Sequence, residues 1–245
     1  MQTPIVLIHG LFGSLSDPRI LGAFGEATTL APDLLGYGSH RLARVAEPTL
    51  EQQADHVAAS LTTRTSGPVH VVGHSIGGAV AVLFASKYPD LSRSLTSVEG
   101  NFTLKDAFWS SQIAKKEIIE IDAILQGYKA DVAGWIEGAV PAPSEWSLAV
   151  ASRWLDNQPA TTLRAQARAV VAATGSLAYL ETIRRIVGSK TPFHLIAGER
   201  SRKGWDVPDW VAAGAASNTE IKGTGHLMML EQPEEFASAI RRNLI

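Results

Sequence analysis

The chain of 245 residues is 45% hydrophobic and 19% charged, a composition that suits one large domain with a buried core. Its formal net charge of −2 at pH 7 argues against electrostatic binding to nucleic acid or to an anionic membrane. The chain contains no cysteine, which excludes disulfides, thiol redox chemistry and a cysteine nucleophile and fits a cytoplasmic location.

The first ten residues, MQTPIVLIHG, lack a basic region and carry only a short apolar run. This pattern does not predict a signal peptide. No apolar run elsewhere reaches the roughly 18 residues expected of a membrane-spanning helix. We therefore expect no membrane association.

Short runs of β-branched residues alternate with helical patterns, which predicts βα units around a parallel sheet. A helix is predicted from Thr49, because Thr49 and Gln52 have the spacing of a capping box. Further helices are predicted at 76–89 and from Pro233 to the end of the chain. Strands are predicted at 4–10, 27–33, 68–73, 94–100, 192–198 and 217–223.

The alternation of strands and helices stops between residues 101 and 191. No convincing strand occurs there, and the helical stretches are interrupted by GAVPAPSE and NQPATT. The simplest interpretation is an all-helical insertion of about 90 residues into an α/β core.

A candidate nucleophile lies between a predicted strand and a predicted helix, in the segment VVGHSIGGAV. Gly73-His74-Ser75-Ile76-Gly77 matches G-x-S-x-G, the pattern of a nucleophile elbow. The sharp turn strains the serine backbone and leaves no room for neighbouring Cβ atoms, which explains the glycines. The motif alone is weak evidence, and an ordinary glycine-rich turn is the alternative. A nucleotide site is disfavoured, since the turn lacks the Walker A lysine.

Two further segments supply the other parts of an acyl-transfer site. The loop HGLFG follows the first predicted strand, so the N–H of Leu11 is a candidate oxyanion donor beside the N–H of Ile76. Of the seven histidines, His226 has the context of a base, because it lies in a glycine-flanked loop between the last strand and the last helix. His70 and His74 are four residues apart, but on a strand and a turn, so no metal site is predicted.

These segments together resemble the α/β-hydrolase superfamily, in which HGLFG, PDLLGYGSH, GHSIGG and GTGHLMMLEQPEEF occur in the same order. The resemblance implies a mostly parallel sheet flanked by helices, with a core of residues 1–100 and 192–245 and a helical cap of residues 101–191. Only eight residues precede His9, where the family usually has a β-hairpin, so the sheet is expected to be truncated at that edge, to six strands.

The resemblance also implies a catalytic triad of a serine esterase. Ser75 would be the nucleophile, His226 the base, and the N–H groups of Leu11 and Ile76 the oxyanion hole. A substrate pocket would lie between core and cap, and no cofactor or metal ion is expected.

The acid of this triad is not at its usual place. Most members of the family have an aspartate where this chain has Ser201, three residues after Gly198. The candidates are Glu199, which is expected to point away from the histidine, Asp206, and Glu99 at the end of the preceding core strand. Some relatives, including certain haloalkane dehalogenases, are similar in carrying a glutamate at that strand end. We favour Glu99 and keep Asp206 as the alternative acid, because geometry and not chain position defines a triad.

A serine in the elbow disfavours dehalogenase and epoxide hydrolase chemistry, which need a carboxylate nucleophile in this fold. The first hypothesis is hydrolysis of a small, apolar carboxylic ester, lactone or thioester. The alternatives are a carbon–carbon bond hydrolase or hydroxynitrile-lyase-like enzyme, and a non-catalytic small-molecule receptor. Four of the six tryptophans fall in the insertion, which predicts that one or two of them line an apolar pocket: Trp109, Trp135, Trp146 and Trp154.

Overall fold

The computed structural model describes residues 2–42 and 47–244. Within these ranges, six strands and twelve α-helices follow one another along the chain. Their order is β1 (Ile5–Ile8), α1 (Pro18–Gly22), β2 (Thr29–Leu30), α2 (Leu50–Thr62), β3 (Val69–His74), α3 (Ile76–Lys87), β4 (Ser92–Val98), α4 (Phe108–Ala114), α5 (Ile118–Ala130), α6 (Val132–Ile136), α7 (Glu145–Asp156), α8 (Ala160–Thr174), α9 (Leu177–Val187), β5 (Phe193–Gly198), α10 (Asp209–Gly214), β6 (Ser217–Ile221), α11 (Met228–Glu231) and α12 (Pro233–Arg241).

The described strands form one six-stranded sheet in the order β2-β1-β3-β4-β5-β6, and every neighbouring pair is parallel. The predicted fold class and number of strands are therefore confirmed for this part of the chain. From β1 the chain first moves to β2 on one side and then returns to β3 on the other side. Such a switch point opens a crevice at the carboxyl ends of β1 and β3, where α/β proteins bind their ligands.

The strands β1, β3 and β5 are buried at every residue, which explains why they are rich in apolar residues. Alternate residues of β1 enter different cores, since side chains on a strand point to opposite faces. Val6 and Ile8 pack into the core that contains α2 and α3. Ile5 and Leu7 pack into the core on the other face, with side chains of α1 and α12.

The helices α4 to α9 all lie in the segment between β4 and β5, and residues 101–191 contain no strand. The segment predicted as an all-helical insertion therefore contains helices and no strand, and we refer to it below as the cap. The predicted capping box at the start of α2 is also confirmed, because the Thr49 side chain accepts from the Gln52 N–H and the Gln52 side chain accepts from the Thr49 N–H. In the described ranges, no helix has the length and apolar character needed to cross a membrane.

Candidate active site

Ser75 occupies the sharp turn between β3 and α3. Its backbone has φ 55° and ψ −126°, a conformation that non-glycine residues rarely adopt. Neighbouring backbone holds it there, since the Ser75 N–H donates to Val98 O at 3.0 Å and the Ser75 carbonyl accepts from Gly78 N–H at 2.8 Å. The turn therefore fixes the serine at the carboxyl edge of the sheet, as the G-x-S-x-G pattern predicts.

The glycines around Ser75 are required by close backbone approaches. A Cβ atom on Gly77 would overlap the carbonyl oxygens of Ile8 and His9 in β1 and its following loop. A Cβ atom on Gly78 would come within 2.5 Å of Gly100 Cα. Real Cβ atoms do not approach so closely, so these positions let α3 start directly against two strand ends.

Replacing Gly77 by alanine is expected to lower the free energy of unfolding by about 3 kcal/mol, because the new methyl group meets backbone that cannot move aside. The matched control is Gly127→Ala in α5, where no atom lies within 4 Å of the added Cβ. That substitution is expected to raise the free energy of unfolding by about 0.5–1 kcal/mol through helix propensity. Urea unfolding of both variants tests the pair, and equal stability of the two variants would contradict the packing described.

His226 and Glu99 are in direct contact. His226 Nδ1 lies 2.6 Å from Glu99 Oε2, although 127 positions separate the two residues in the chain. The glutamate side chain is 4% exposed and the histidine side chain is 39% exposed. Burial opposes ionisation of Glu99, but the hydrogen bond and charge of His226, together with other donors, lower the pKa of the carboxyl group. The carboxylate can therefore hold the Nδ1–H of the imidazole while Nε2 stays free to accept a proton.

The other acidic candidates have different partners. Asp206 accepts from the Thr103 hydroxyl at 2.6 Å and lies 3.7 Å from the Lys105 ammonium group. Glu199 is exposed and accepts from Lys222 Nζ at 3.1 Å and from the N–H of Gly223. Among the described residues, Glu99 is the only carboxylate in contact with the His226 ring.

Ser75 and His226 line the same cavity, but no hydrogen bond joins the serine hydroxyl to the imidazole within the described ranges. Catalytic hydrogen bonds are often long without substrate and shorten when the complex forms. The structure thus brings the nucleophile candidate, the base candidate and Glu99 to one site at the carboxyl edge of the sheet.

The loop after β1 runs directly beside the elbow. A Cβ atom on Gly10 would lie 3.1 Å from Ser75 Cβ, so a side chain at this position would require a small shift of the neighbouring atoms. Neither the N–H of Leu11 nor that of Ile76 has a backbone acceptor among the described residues. Ile76 is the first residue of α3, where N–H groups lack intrahelical partners and the helix dipole is positive. Both groups are therefore available as donors.

Two buried side chains that the sequence did not single out hold this loop. His9 donates from Nδ1 to the carbonyl of Gly10 at 2.9 Å, and its Nε2 accepts from the N–H of Leu34 at 3.1 Å. The Tyr37 hydroxyl donates to the carbonyl of Leu11 at 2.9 Å. Because a peptide C=O and the following N–H point in opposite directions, fixing the Gly10 carbonyl also fixes the direction of the Leu11 N–H.

His74 supports the loop that carries His226. Its Nε2 donates to the carbonyl of His226 at 2.9 Å, and the two rings lie 4.6 Å apart between centroids. Burial, with the neighbouring His226, lowers the pKa of His74 to about 3. His74 is therefore neutral near pH 7, with its proton on Nε2. A role in holding His226 explains this residue better than metal binding.

A second brace holds the same loop to the cap. Glu231 accepts from the N–H of Gly225 at 2.6 Å and from Arg200 at 2.6 Å. The Arg200 guanidinium group also donates to the carbonyl of Ala139, between α6 and α7. The position of His226 thus depends on contacts from the loop after β5, from the cap and from α11.

A cavity of about 620 Å³ lies over the carboxyl ends of the central strands and reaches Gly10, Ser75, Glu99, Ser201 and His226. This volume falls in the range of pockets for small molecules. The rest of its wall includes six aromatic side chains: Phe12, Phe108, Trp109, Trp135, Trp154 and Trp205.

The cap supplies most of these rings. Three of the four cap tryptophans line the cavity, whereas we expected one or two. Trp146 is not among the described lining residues; its indole N–H donates to Asp17 and its ring packs under Arg19. Phe12, from the loop after β1, packs edge-on against Trp135 with centroids 5.4 Å apart. The loop after β1 and the cap therefore share one aromatic wall.

The charges at the cavity are acidic. Among the described lining residues there is no lysine or arginine, and the carboxyl groups are those of Glu99 and Asp106. Burial raises the pKa of Asp106 to about 6, although backbone N–H groups and Asn101 donate to its oxygens. Within the described ranges, no cluster of three or more potential metal ligands was found.

Comparison with known proteins identifies the family of this chain. The alpha/beta hydrolase family profile matches residues 5–239. Lipase 3 of Moraxella sp. (strain TA144) is 32% identical over 114 residues, which cover 46% of this chain and 35% of that lipase. The chain thus spans about a third of the length of the curated relatives it matches.

Solved structures give the same fold over nearly the whole chain. A carboxylesterase structure from the thaumarchaeon Nitrososphaera gargenis superposes with a TM-score of 0.76 at 18% identity, covering 98% of this chain and 89% of the esterase. The N-acyl homoserine lactonase AidH superposes with a TM-score of 0.71 at 17% identity, covering 99% and 88% of the two chains. Since the family profile extends from β1 into α12, the protein belongs to the α/β-hydrolase family.

Proposed function

We propose that the protein is a serine hydrolase that cleaves a small, apolar carboxylic ester, lactone or thioester through an acyl-enzyme on Ser75. The observation that carries this proposal is the 2.6 Å contact between Glu99 Oε2 and His226 Nδ1 beside the cavity that Ser75 lines. The similarity to a lipase and to a carboxylesterase supports the same class of reaction.

In the acylation step, the Ser75 hydroxyl attacks the substrate carbonyl while His226 Nε2 takes its proton. Glu99 accepts from Nδ1–H, keeps the imidazole in the required tautomer and stabilises the imidazolium that forms. His226 then gives the proton to the leaving alcohol or thiol. A water molecule repeats the sequence on the acyl-enzyme and releases the acid.

The negative charge that develops on the carbonyl oxygen is stabilised by the N–H groups of Leu11 and Ile76. Each such donor contributes on the order of 10²–10³ in rate when it is held in place before the reaction. His9 holds the Gly10 carbonyl and Tyr37 holds the Leu11 carbonyl by hydrogen bonds, and the start of α3 fixes the Ile76 N–H. Little reorganisation is needed when the tetrahedral intermediate forms.

The cavity wall favours a neutral substrate. Burial of a substrate's apolar groups against the aromatic wall makes the free energy of binding more favourable by about 0.8 kcal/mol per methylene. A substrate carboxylate would lose its water near Glu99 and Asp106, and no lysine or arginine among the described lining residues would compensate. We therefore propose an uncharged acyl group, such as an aliphatic or aryl chain.

A panel of esters tests this substrate class. With p-nitrophenyl acetate, propionate and butyrate, kcat/KM is expected to rise by up to about fourfold per methylene. Methyl valerate is expected to react at least about 100-fold faster than monomethyl succinate, which has similar length but a carboxylate. Equal rates for these two methyl esters would contradict the neutral-substrate proposal, and binding of the esters without turnover would favour a non-catalytic receptor.

A further inference from the structure

Ser201 lies at the position where most members of the family have an aspartate. Its hydroxyl contacts the carboxylate of Glu99, the residue that contacts His226 in this chain. Its Oγ is 2.5 Å from Glu99 Oε1, although 102 positions separate the two residues. A second contact, to the carbonyl of Gly198, is longer at 3.3 Å. Because an ionised carboxylate only accepts hydrogen bonds, the serine is the donor and Glu99 is the acceptor.

The contacts of Glu99 divide between its two oxygens. Oε2 faces His226, whereas Oε1 accepts from the Ser201 hydroxyl and from the Gly198 N–H at 2.8 Å. Hydrogen bonds to the charged form of a buried acid favour that form and oppose the effect of burial. With Oε1 held on one side, the carboxylate group can present only Oε2 to the imidazole.

The backbone of Glu99 also needs such support. Its φ is 43°, in the left-handed region that a residue with a Cβ atom seldom adopts. A backbone hydrogen bond from the Glu99 N–H to Ile196 O fixes the main chain, and the contacts of Oε1 fix the end of the side chain. Both ends of the residue are thus tied to β5 and the loop that follows it.

We propose that Ser201 is a positioning residue of the hydrolase: its hydroxyl keeps the Glu99 carboxylate oriented toward His226 Nδ1. This inference rests on the proposed function, since the orientation of Glu99 matters for catalysis only if His226 takes the proton of Ser75. Ser201 does not react with the substrate. Its effect reaches the reaction through Glu99 and the tautomer of the imidazole.

The test compares Ser201→Ala, which removes the hydroxyl, with Ser201→Thr, which keeps it. Ser201→Ala removes a hydrogen bond to the charged Glu99 carboxylate and so loosens its orientation toward His226. We expect the variant to lower kcat for p-nitrophenyl butyrate roughly 10-fold, with a smaller change in KM. Because Glu99 becomes a stronger base without this donor, the acidic limb of the kcat/KM profile is expected to move to higher pH. Ser201→Thr is expected to restore kcat to within about threefold of the wild type and to return the acidic limb to its wild-type position.

The matched control is Ser189→Ala, whose hydroxyl donates to Ile186 O at the end of α9, away from the cavity. Its kcat and pH profile are expected to be those of the wild type. An NMR titration of the Glu99–His226 pair gives a readout that does not need turnover. Ser201→Ala is expected to shift the midpoint pH of this titration. If wild-type protein forms an acyl-enzyme on Ser75 but Ser201→Ala leaves kcat, the pH profile and the titration unchanged, the role of Ser201 is refuted while the proposed function stands.

Discussion

Replacing Ser75 by alanine is expected to lower kcat for p-nitrophenyl butyrate by roughly 10⁴-fold or more. The physical reason is that the attacking oxygen is lost, while the oxyanion donors and the cavity remain and leave a small residual rate. The measurement is steady-state hydrolysis by purified protein, corrected for the rate in buffer. Circular dichroism and thermal unfolding of the variant establish that the fold is retained.

The matched control for this prediction is Ser60→Ala. Ser60 lies on α2, away from the cavity, and its hydroxyl donates only to Val57 O. Its kcat is expected to stay within about twofold of the wild type, since surface substitutions of this kind rarely perturb a site. Similar activity of Ser75→Ala and Ser60→Ala would refute an acyl-enzyme on Ser75.

The acid is tested by Glu99→Gln against Asp206→Asn. Glu99→Gln is expected to lower kcat by roughly 10³–10⁴-fold, because an amide beside Nδ1 no longer compensates the imidazolium charge and can favour the wrong tautomer. Asp206→Asn is expected to retain activity within about threefold, because Asp206 contacts Thr103 and Lys105 and not His226. Single-turnover assays of both variants with the same ester separate the chemical step from product release.

The opposite result would identify Asp206 as the acid. If Asp206→Asn lost activity by orders of magnitude while Glu99→Gln remained near the wild type, the loop after β5 would have to rearrange during catalysis. The 2.6 Å contact of Glu99 with His226 would then be a structural contact only. Equal losses in both variants, with unchanged folding, would mean that the site needs both carboxylates.

Much of the core could be predicted because local patterns decide it. Buried parallel strands require continuous apolar runs, and the capping box at Thr49 and the glycines around Ser75 follow from backbone sterics over a few residues. Short elements were predicted less well. The edge strand β2 has two residues where seven were expected, and α1 and α10 were not predicted, since one or two turns of helix give little periodic signal.

Long-range contacts explain what the sequence could not decide. Glu99 and Asp206 were both possible acids, because the choice depends on how the loop after β5 turns. The structure brings Glu99 to His226 across 127 positions and Ser201 to Glu99 across 102. The roles of His9 and Tyr37 depend equally on tertiary contacts, although the HG dipeptide and the GYG segment were signals at those positions.

Covalent trapping of the nucleophile tests directly whether Ser75 forms the acyl-enzyme. Folded wild-type protein is incubated with a fluorophosphonate, and the product is measured by intact-mass spectrometry and by peptide mapping. Acyl-enzyme chemistry on Ser75 predicts one adduct per chain, on the peptide that contains Ser75, and no adduct in Ser75→Ala. No adduct on folded wild-type protein, or an adduct on any other serine, would contradict it.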